Sequence, residues 1–449
     1  MLIIKFGGST LVNAKAIRDM IDIVESKKES QPVLVVSAIG KTTRNLLETA
    51  GQAAAGHLED SKKKLKMIQD FHLSLVQDLK TKGSDDVVEN LDIYFEAMDK
   101  LLEGVSVLRE LSPRTQDQFL AYGELISSRI VVSAFIDQKL DVEWTDARQF
   151  IITDAVFTEA SVLYTETFAG IRSKLNPLLK AGKIPVVQGF IGATENGHTT
   201  TLGFEGSDLT ASVLGAALEA DHIEVRKNVP GIMTADPAVC KNAKALETLS
   251  YREVAEMTFF GAKVLHPRAI FPALQKGIPL TICDSKENAV RGTRIVMKPE
   301  DGKGSVKSVA YRKPMSLVSL NPLENVDTHS FTQKVMDILR RTNIRPYIFQ
   351  SAENALSLVV QGDTVLDPFI SNLKSISTMK IHKNLGTVSL IGENVYSVTD
   401  LPSQILSMAK NVQIYLISTG ITSCNFTILV AEDTVHEVVN AFHQYYFEK

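Results

Sequence analysis

The N-terminal segment combines a lysine with glycines and hydroxyl residues in an order suited to binding phosphate. Lys5 lies near the end of the apolar run Leu2–Phe6, which reads as a buried strand. The four residues that follow are Gly7, Gly8, Ser9 and Thr10. Glycines let backbone N–H groups approach an anion, and we expect Ser9 and Thr10 to cap a helix whose N-terminus adds partial positive charge. The pattern predicts a phosphate site but lacks the GxxxxGK[ST] sequence of a Walker loop, and an ordinary strand–turn–helix has the same pattern.

Two carboxylates are further candidates for chemistry. Asp208 follows Gly203, Gly206 and Ser207 in a second glycine-rich stretch, and it could orient a lysine or a metal near the phosphates. The alternative is that Ser207 or Asp208 only caps a helix. Glu124 lies among small neighbours in a predicted helix, where it could bind an ammonium group or simply face solvent. The nine histidines are dispersed and show no HExxH spacing, so the sequence predicts no metal site in the protein.

The elements that must position these residues have the order of an α/β domain. The strand at Leu2–Phe6, the following helix and the strand at Val33–Ser37 form a βαβ unit, and the pattern resumes at Ile184–Phe190 and Ser207–Ala220. Between them, residues from about 44 to 138 predict a long helical insertion. The sequence therefore predicts an open, mainly parallel sheet with helices on both faces.

The C-terminal part repeats a smaller pattern. Strand, helix, strand, strand and helix follow one another twice, in residues 306–380 and 381–449, after a linker at Gly302–Ser305. Neither repeat carries a cluster of ionisable residues suited to chemistry. We expect two small α+β domains that bind an effector or mediate assembly.

Composition excludes several classes of protein. The 449 residues carry 48 basic and 52 acidic side chains, a formal net charge of −4, which disfavours nucleic acid or an anionic membrane as partner. The three cysteines are far apart, which fits a reducing compartment. No apolar run approaches about 18 residues, the length of a membrane span. We therefore expect a cytoplasmic protein of several domains.

Six segments, in this order, resemble the aspartate kinases. They are KFGGST at the N-terminus, SAIGKTT, YGELISS, TTLGFEGSD, VPGIMTADP and FGAKVLHP. The segments TSCNFTILV and FHQYYF near the C-terminus resemble the paired ACT domains of that family. The resemblance implies an amino-acid-kinase catalytic domain over residues 1–300, followed by two ACT-like regulatory domains. It also implies transfer of a phosphoryl group from ATP, with Mg²⁺, to the β-carboxylate of L-aspartate, the first step of lysine, threonine and methionine biosynthesis.

The resemblance assigns roles residue by residue. Lys5 and Asp208 would act at the reacting groups. Residues assigned to ATP are Lys5, Gly7, Gly8, Ser9, Lys227, Asn228, Met233, Asp236 and Lys263. Residues assigned to aspartate are Thr43, Glu124 and Ser207, with Glu124 holding the ammonium group. The implied partners also include an amino-acid effector, lysine or threonine, at the ACT-like domains, and a second copy of the chain in a homodimer or higher homo-oligomer.

The sequence departs from the family at several positions. Phe204 and Glu205 replace an Arg-Gly pair whose arginine clamps the α-carboxylate of the substrate. One hypothesis is that Arg44 takes over this clamp, and the alternative is that Arg44 is a solvated loop residue. Arg226, Lys227 and Asn228 replace Trp-Thr-Asp, Met233 replaces a frequent tyrosine, and the loop Asn321–Thr328 lacks the usual glycine. Two alternatives follow: a divergent kinase for another small carboxylate, and a non-catalytic effector-binding paralogue.

Overall fold

A computed structural model describes residues 1–80, 84–262, 265–286, 292–298, 304–323, 327–362, 366–419 and 422–448. Lys263, assigned above to the nucleotide, and half of the predicted linker Gly302–Ser305 lie outside these residues. The chain divides into two compact units. The N-terminal unit comprises residues 1–232, 247–251 and 265–298, and the C-terminal unit comprises residues 233–246, 252–264 and 299–449. Two segments from within the span 1–300 thus group with the C-terminal residues.

The strands of the N-terminal unit form two sheets. Within the described residues they are β1 (Leu2–Phe6), β2 (Pro32–Val36), β3 (Val142–Thr145), β4 (Ile152–Thr153), β5 (Ile184–Gln188), β6 (Ile191–Thr194), β7 (Thr199–Thr201), β8 (His222–Lys227), β9 (Thr248–Ser250), β10 (Leu280–Asp284) and β11 (Gly292–Val296). The large sheet has the order β3-β5-β2-β1-β8-β10-β11-β9, and β4, β6 and β7 form a small one. Neighbours in the large sheet are parallel except β10 and β11. This confirms the predicted fold class.

The central strands are apolar on both faces because helices cover both faces of the sheet. Every residue of β1, β2 and β5 is buried, as expected for a parallel sheet. The helices up to residue 275 are α1 (Ala14–Glu25), α2 (Thr42–Ala54), α3 (Leu58–Leu79), α4 (Ser84–Leu108), α5 (Pro113–Asp137), α6 (Tyr164–Lys180), α7 (Gly206–Leu218), α8 (Tyr251–Phe259) and α9 (Pro267–Gln275). All except most of α8 belong to the N-terminal unit.

The predicted helical insertion is confirmed. Helices α2 to α5 occupy almost all of residues 42–137, and the apolar faces of α3 and α4 join the main core cluster through residues such as Leu65, Leu91 and Phe95. Helix α5 corrects one expectation, because by length and composition it is apolar enough to cross a membrane. However, 78% of its most apolar window is buried inside the protein. The packing of α5 in the core accounts for its apolar sequence.

The C-terminal unit contains one six-stranded antiparallel sheet. Its strands and remaining helices are β12 (Ser308–Pro322), α10 (Thr328–Arg341), β13 (Ile348–Ala352), β14 (Ala355–Gln361), α11 (Leu366–Lys374), β15 (Ser377–Ile391), α12 (Leu401–Met408), β16 (Ile414–Thr419), β17 (Asn425–Ala431) and α13 (Val435–Phe447). The strand order is β13-β14-β12-β15-β17-β16. Two apolar clusters flank it, one built around Phe331 and Phe369 and the other around Phe426 and Phe442.

The two repeats share the long central strands β12 and β15. The second half of β12 pairs with β14, whereas residues 308–312 pair with residues 387–391, which also pair with β17. The first residues of β12 are therefore part of the second repeat. The sequence boundary at residue 380 lies inside β15, because two strands of 15 residues pair along almost their whole length.

Candidate active site

Lys5 lies at the carboxyl end of the central strand β1. Its strand neighbours are β2, where Val35 is in register, and β8, where Val225 is in register. Both neighbours are parallel to β1, so their carboxyl ends meet at the same edge of the sheet, where ligands bind in open α/β folds. The Lys5 side chain is 7% exposed, and its ammonium group pairs with Oδ1 of Asp208 at 2.5 Å.

A tight glycine turn follows Lys5. The Gly8 carbonyl accepts a hydrogen bond from the Gly40 N–H at 2.8 Å, and a Cβ on Gly8 would lie 2.3 Å from the carbonyl oxygen of Ala38. A Cβ on Gly7 would lie 3.7 Å from the ammonium nitrogen of Lys5. Glycine is therefore required at position 8 by the close approach of another loop. At position 7 it leaves open the space beside the Lys5 ammonium group.

The helix after this turn begins later than predicted. Residues 8–10 form a single 3₁₀ turn, and Thr10 donates to the Gly7 carbonyl at 2.7 Å. Helix α1 begins at Ala14 and is capped by Asn13, whose side chain accepts from the Ala16 N–H at 2.9 Å. The prediction that Ser9 and Thr10 cap the helix is wrong, because the intervening turn already uses them.

Asp208 is held between two lysines. It lies in the first turn of α7 with its side chain 2% exposed, and its Oδ2 is 3.3 Å from the ammonium nitrogen of Lys227. Burial alone would raise the pKa of Asp208, but the charges of Lys5 and Lys227 outweigh burial and hold that pKa below its ordinary value. Asp208 is therefore an ionised carboxylate that fixes both ammonium groups, which is the orienting role predicted as one alternative.

Glu205 extends this cluster. Its carboxylate lies 3.9 Å from the Lys227 ammonium nitrogen and accepts a hydrogen bond from the His266 N–H. Burial raises the pKa of Glu205, Asp208 adds to this effect, and Lys227 opposes it. Glu205 is also the N-cap residue of α7, in a left-handed conformation with φ of 56°. Ser207, the next residue but one, is buried against Gly189, where a Cβ would lie 2.6 Å from the Ser207 hydroxyl oxygen.

Glu124 presents a different electrostatic environment. The side chain is buried in α5, and Oε1 accepts from the Ala38 N–H at 3.3 Å. Oε2 has no hydrogen-bond partner among the described residues. Burial raises the pKa of this carboxyl to about 8, although the N–H groups of Ala38 and Glu124 and the Thr43 hydroxyl all lower it. A buried carboxyl with an unpaired oxygen is suited to receiving a cationic ligand.

A buried histidine supports the neighbouring loop, and sequence reasoning missed it. His72 lies on α3 and its Nε2 is 3.3 Å from the hydroxyl of Thr42, the residue before Thr43. Its Nδ1 is 2.7 Å from the Ile68 carbonyl oxygen. Burial lowers the pKa of His72 to about 4, so the ring is neutral at pH 7. The spacing of α3 predicted a buried face but gave no signal for this contact.

The structure does not bring Arg44 into the cluster. Its side chain is 76% exposed and pairs with Glu48 one turn later at 3.0 Å. This geometry does not support the expected clamp, because a favourable i,i+4 pair on the helix surface already holds the guanidinium. Asn228, by contrast, donates to the Ser9 carbonyl at 2.8 Å and accepts from the Ser285 hydroxyl.

Two residues assigned to the nucleotide belong to the C-terminal unit. Met233 forms an isolated antiparallel bridge with Ala245. Asp236 accepts from the Ala238 N–H at 2.9 Å and from the Tyr311 hydroxyl at 3.2 Å. Lys263, which was also assigned to the nucleotide, lies outside the described residues.

A buried ion pair beneath the site was also missed. Arg226 is fully buried in β8 and donates to Oε2 of Glu224 at 2.6 and 3.1 Å and to the Asp284 carbonyl at 2.9 Å. Lys27 pairs with the other oxygen of Glu224 at 2.8 Å. The sequence showed Arg226 as a departure from the family, and alternation along a strand places Glu224 and Arg226 on one face, but it does not show that this face is buried.

The solved structures and curated proteins that resemble this chain agree with one another. The chain is 29% identical to lysine-sensitive aspartokinase 3 of Escherichia coli over 463 residues, covering 100% of this chain and 99% of that protein. It is 29% identical to the chloroplastic aspartokinase 1 of Arabidopsis thaliana, covering 99% of this chain and 80% of that protein. The crystal structure of E. coli aspartokinase III in complex with aspartate and ADP superimposes with a TM-score of 0.86 at 28% identity, covering 99% of both chains.

The same E. coli protein in complex with lysine and aspartate superimposes with a TM-score of 0.83, covering 100% of this chain and 99% of that chain. A model of the amino acid kinase family matches residues 1–284, which include Lys5, Glu124, Asp208 and Lys227. Since this match extends over more than half of the sequence, the chain belongs to the amino acid kinase family.

Proposed function

We propose that the protein is an aspartate kinase, which transfers the γ-phosphoryl group of ATP to the β-carboxylate of L-aspartate. The observation that carries the proposal is the buried pair of Lys5 and Asp208 beside the glycine turn. Similarity along the whole chain to a protein solved with aspartate and ADP supports the choice of substrates.

The site is suited to phosphoryl transfer because it supplies charge and position. A carboxylate oxygen of the substrate forms the new bond to the γ-phosphorus, and the bond from that phosphorus to the bridging oxygen breaks. ADP leaves with the electron pair. No base is needed, since the attacking carboxylate is already ionised at neutral pH. In our proposal Lys5 neutralises charge on the transferred group, and Asp208 orients the Lys5 ammonium group through their ion pair.

The turn at Gly7 and Gly8 provides space for the phosphates. The open position beside the Lys5 ammonium group, where a Cβ on Gly7 would lie 3.7 Å away, fits a phosphate oxygen. Among the described residues no group of three or more histidine, cysteine or acidic side chains could hold a metal ion. In our proposal a Mg²⁺ ion would therefore be held mainly by ATP oxygens. When bound, Mg²⁺ neutralises phosphate charge.

Glu124 is proposed to bind the ammonium group of aspartate. Two observations support this role: Oε2 has no hydrogen-bond partner among the described residues, and burial raises the pKa of the carboxyl. An ammonium group would supply both the hydrogen bond and the charge, and would favour the ionised carboxylate. Thr43 and Ser207 are proposed as further contacts, and Lys227, Asn228, Met233, Asp236 and Lys263 as nucleotide contacts.

The C-terminal unit is proposed to bind an amino-acid effector. It contains no predicted catalytic residue apart from the proposed nucleotide contacts, and the similar E. coli protein was solved with lysine. Lysine is therefore the first effector to test, with threonine as the second. Assembly into a homodimer or higher oligomer, and a cytoplasmic location, remain predictions.

Trapping the product tests the substrate. Hydroxylamine converts an acyl phosphate into a hydroxamate, so the protein is incubated with ATP, Mg²⁺, hydroxylamine and one acid at a time. We expect hydroxamate with L-aspartate and none after the Lys5→Met substitution. Product with another small acid and not with aspartate would favour the divergent kinase suggested by Phe204. Lysine binding without product from any acid would favour a non-catalytic effector-binding paralogue.

A further inference from the structure

Lys227 is the second ammonium group at Asp208, and its proposed contact with the nucleotide has not yet been assigned to a particular phosphate. Its side chain is 24% exposed, whereas that of Lys5 is 7% exposed and that of Asp208 is 2% exposed. Lys227 is therefore the member of the trio most accessible to a ligand. Its ammonium nitrogen lies 3.3 Å from Asp208 and 3.9 Å from Glu205.

Strand register explains why both lysines reach the same carboxylate. Lys5 of β1 is in register with Val225 of β8, and Lys227 follows Val225 by two residues on the same strand. Side chains two residues apart on a strand point to the same face, so Lys227 and Lys5 project from one face of the sheet. Lys227 is one step further toward the carboxyl end, beside the glycine turn. The neighbouring Asn228 is bonded to the Ser9 carbonyl and fixes this end of β8 against the turn.

Two lysines and two carboxylates make this cluster electrically balanced, and the ammonium group of Lys227 lies on its more exposed side. Asp208 alone would balance one lysine, and the second lysine is balanced by Glu205. That carboxylate is held more loosely, at 3.9 Å and with a raised pKa. Glu205 also occupies a left-handed conformation, which glycine adopts at much lower cost. The strained backbone conformation of Glu205 therefore places its carboxylate, as a weakly held counter-ion, next to Lys227.

We propose that Lys227 is a phosphoryl-contacting cation which, together with Lys5, neutralises the transferred group, while Glu205 serves as its counter-ion in the free enzyme. The inference rests on the proposed kinase function. While the new bond to phosphorus forms and the bridging bond breaks, the equatorial oxygens of the phosphoryl group carry negative charge, which the ammonium groups of Lys5 and Lys227 offset. Lys227 acts through its charge and transfers no proton.

A methionine variant tests the role of the charge. Methionine keeps the length of the lysine stem without its charge, so Lys227→Met should lower kcat by about 30-fold or more, with KM for aspartate changed less than about threefold. Lys227→Arg, which keeps the charge, should retain kcat within about tenfold of wild type. Lys183→Met is the matched control, because Lys183 pairs with Glu143 on the surface. A Lys227→Met enzyme with wild-type kcat would overturn the proposal.

A double variant separates this role from simple mutual neutralisation of Lys227 and Glu205. If the lysine only balances Glu205, then Lys227→Met combined with Glu205→Gln should regain wild-type kcat, because both buried charges are gone. If Lys227 contacts the phosphoryl group, the double variant stays as slow as Lys227→Met.

Nucleotide binding provides a readout that does not depend on turnover. The binding of a non-hydrolysable ATP analogue and of ADP is measured by calorimetry. Lys227→Met should lower the affinity for the analogue by about tenfold and the affinity for ADP by less than about threefold. Equal affinities of wild type and variant for the analogue would refute the proposal. If the wild-type protein fails to phosphorylate aspartate, the kinase assignment fails, while this comparison still decides whether Lys227 contacts the terminal phosphoryl group.

Discussion

Replacing Glu124 by glutamine should make the stability of the ligand-free protein rise, relative to wild type, as the pH increases. Burial raises the pKa of this carboxyl from 4.5 to about 8, against the opposing effects of nearby donors. In the unfolded chain the group titrates near its ordinary value. Between these two pKa values the folded protein therefore holds a proton that the unfolded chain releases, and each pH unit removes about 1.4 kcal/mol from the free energy of unfolding.

The size of the effect follows from that window. The two pKa values are roughly 3.5 pH units apart. The free energy of unfolding of the wild-type protein should therefore fall by on the order of 4 kcal/mol by pH 8, and it should be essentially unaffected below pH 4.5. Glu124→Gln cannot titrate and avoids this loss. The glutamine amide replaces a carboxyl oxygen that has no hydrogen-bond partner. Burying this unpaired polar group lowers the free energy of unfolding by about 1–3 kcal/mol at every pH. The net stabilisation at pH 8 should therefore be about 1–3 kcal/mol, and it should vanish or change sign at pH 5.

Thermal unfolding at several pH values, without ligand, measures this difference. The Tm of Glu124→Gln minus that of wild type should increase by about 5 °C or more from pH 5 to pH 8. Glu143→Gln, on the surface, should show no such trend. In catalysis the variant should bind aspartate at least tenfold more weakly, because the ammonium group loses its charged partner. A Tm difference that is the same at pH 5 and pH 8 would refute the reasoning.

Four further predictions follow from the site. Wild-type kcat/KM for aspartate should rise with pH up to about 8, because the ionised form of Glu124 is needed; a flat profile from pH 6 to 8 would contradict this. Lys5→Met should lower kcat by about 100-fold or more with unchanged circular dichroism, and activity within tenfold of wild type would exclude its proposed role. Arg44→Ala should leave KM for aspartate within about twofold of the wild-type value, since the side chain is exposed and paired with Glu48. A tenfold rise in KM would instead show that Arg44 binds the α-carboxylate. Gly8→Ala should lower Tm by several degrees, because its Cβ would meet the Ala38 carbonyl at 2.3 Å, and an unchanged Tm would show that the loop can yield.

Local pattern was sufficient to predict the frame of the N-terminal unit. The apolar run Leu2–Phe6 predicted the buried strand that carries Lys5, and Pro113 after Ser112 marked the start of α5. These signals work because strand and helix periodicity and capping act within a few residues. The resemblance to the amino-acid kinases, supported by six ordered segments, is confirmed by the family match over residues 1–284.

Contacts between distant segments could not be predicted in the same way. The raised pKa of Glu124 depends on burial among residues far away in the chain. The same limit applies to β12 and β15. The sequence predicted both repeats. It did not predict that residues 308–312 pair with the second repeat, because that pairing depends on contacts between segments far apart in the chain.

The two carboxylates of the site show opposite imbalances, and together they account for how it can distinguish its ligands. Asp208 is buried between two ammonium groups, so its surroundings carry more positive charge than it needs and its pKa is lowered. Glu124 is buried with neutral donors, so it lacks positive charge and its pKa is raised. An anionic phosphoryl group relieves the first imbalance and an ammonium group relieves the second. Because each ligand would be unfavourable at the other carboxylate, our proposal places the phosphoryl group of ATP beside Asp208 and its lysines and the ammonium group of aspartate at Glu124.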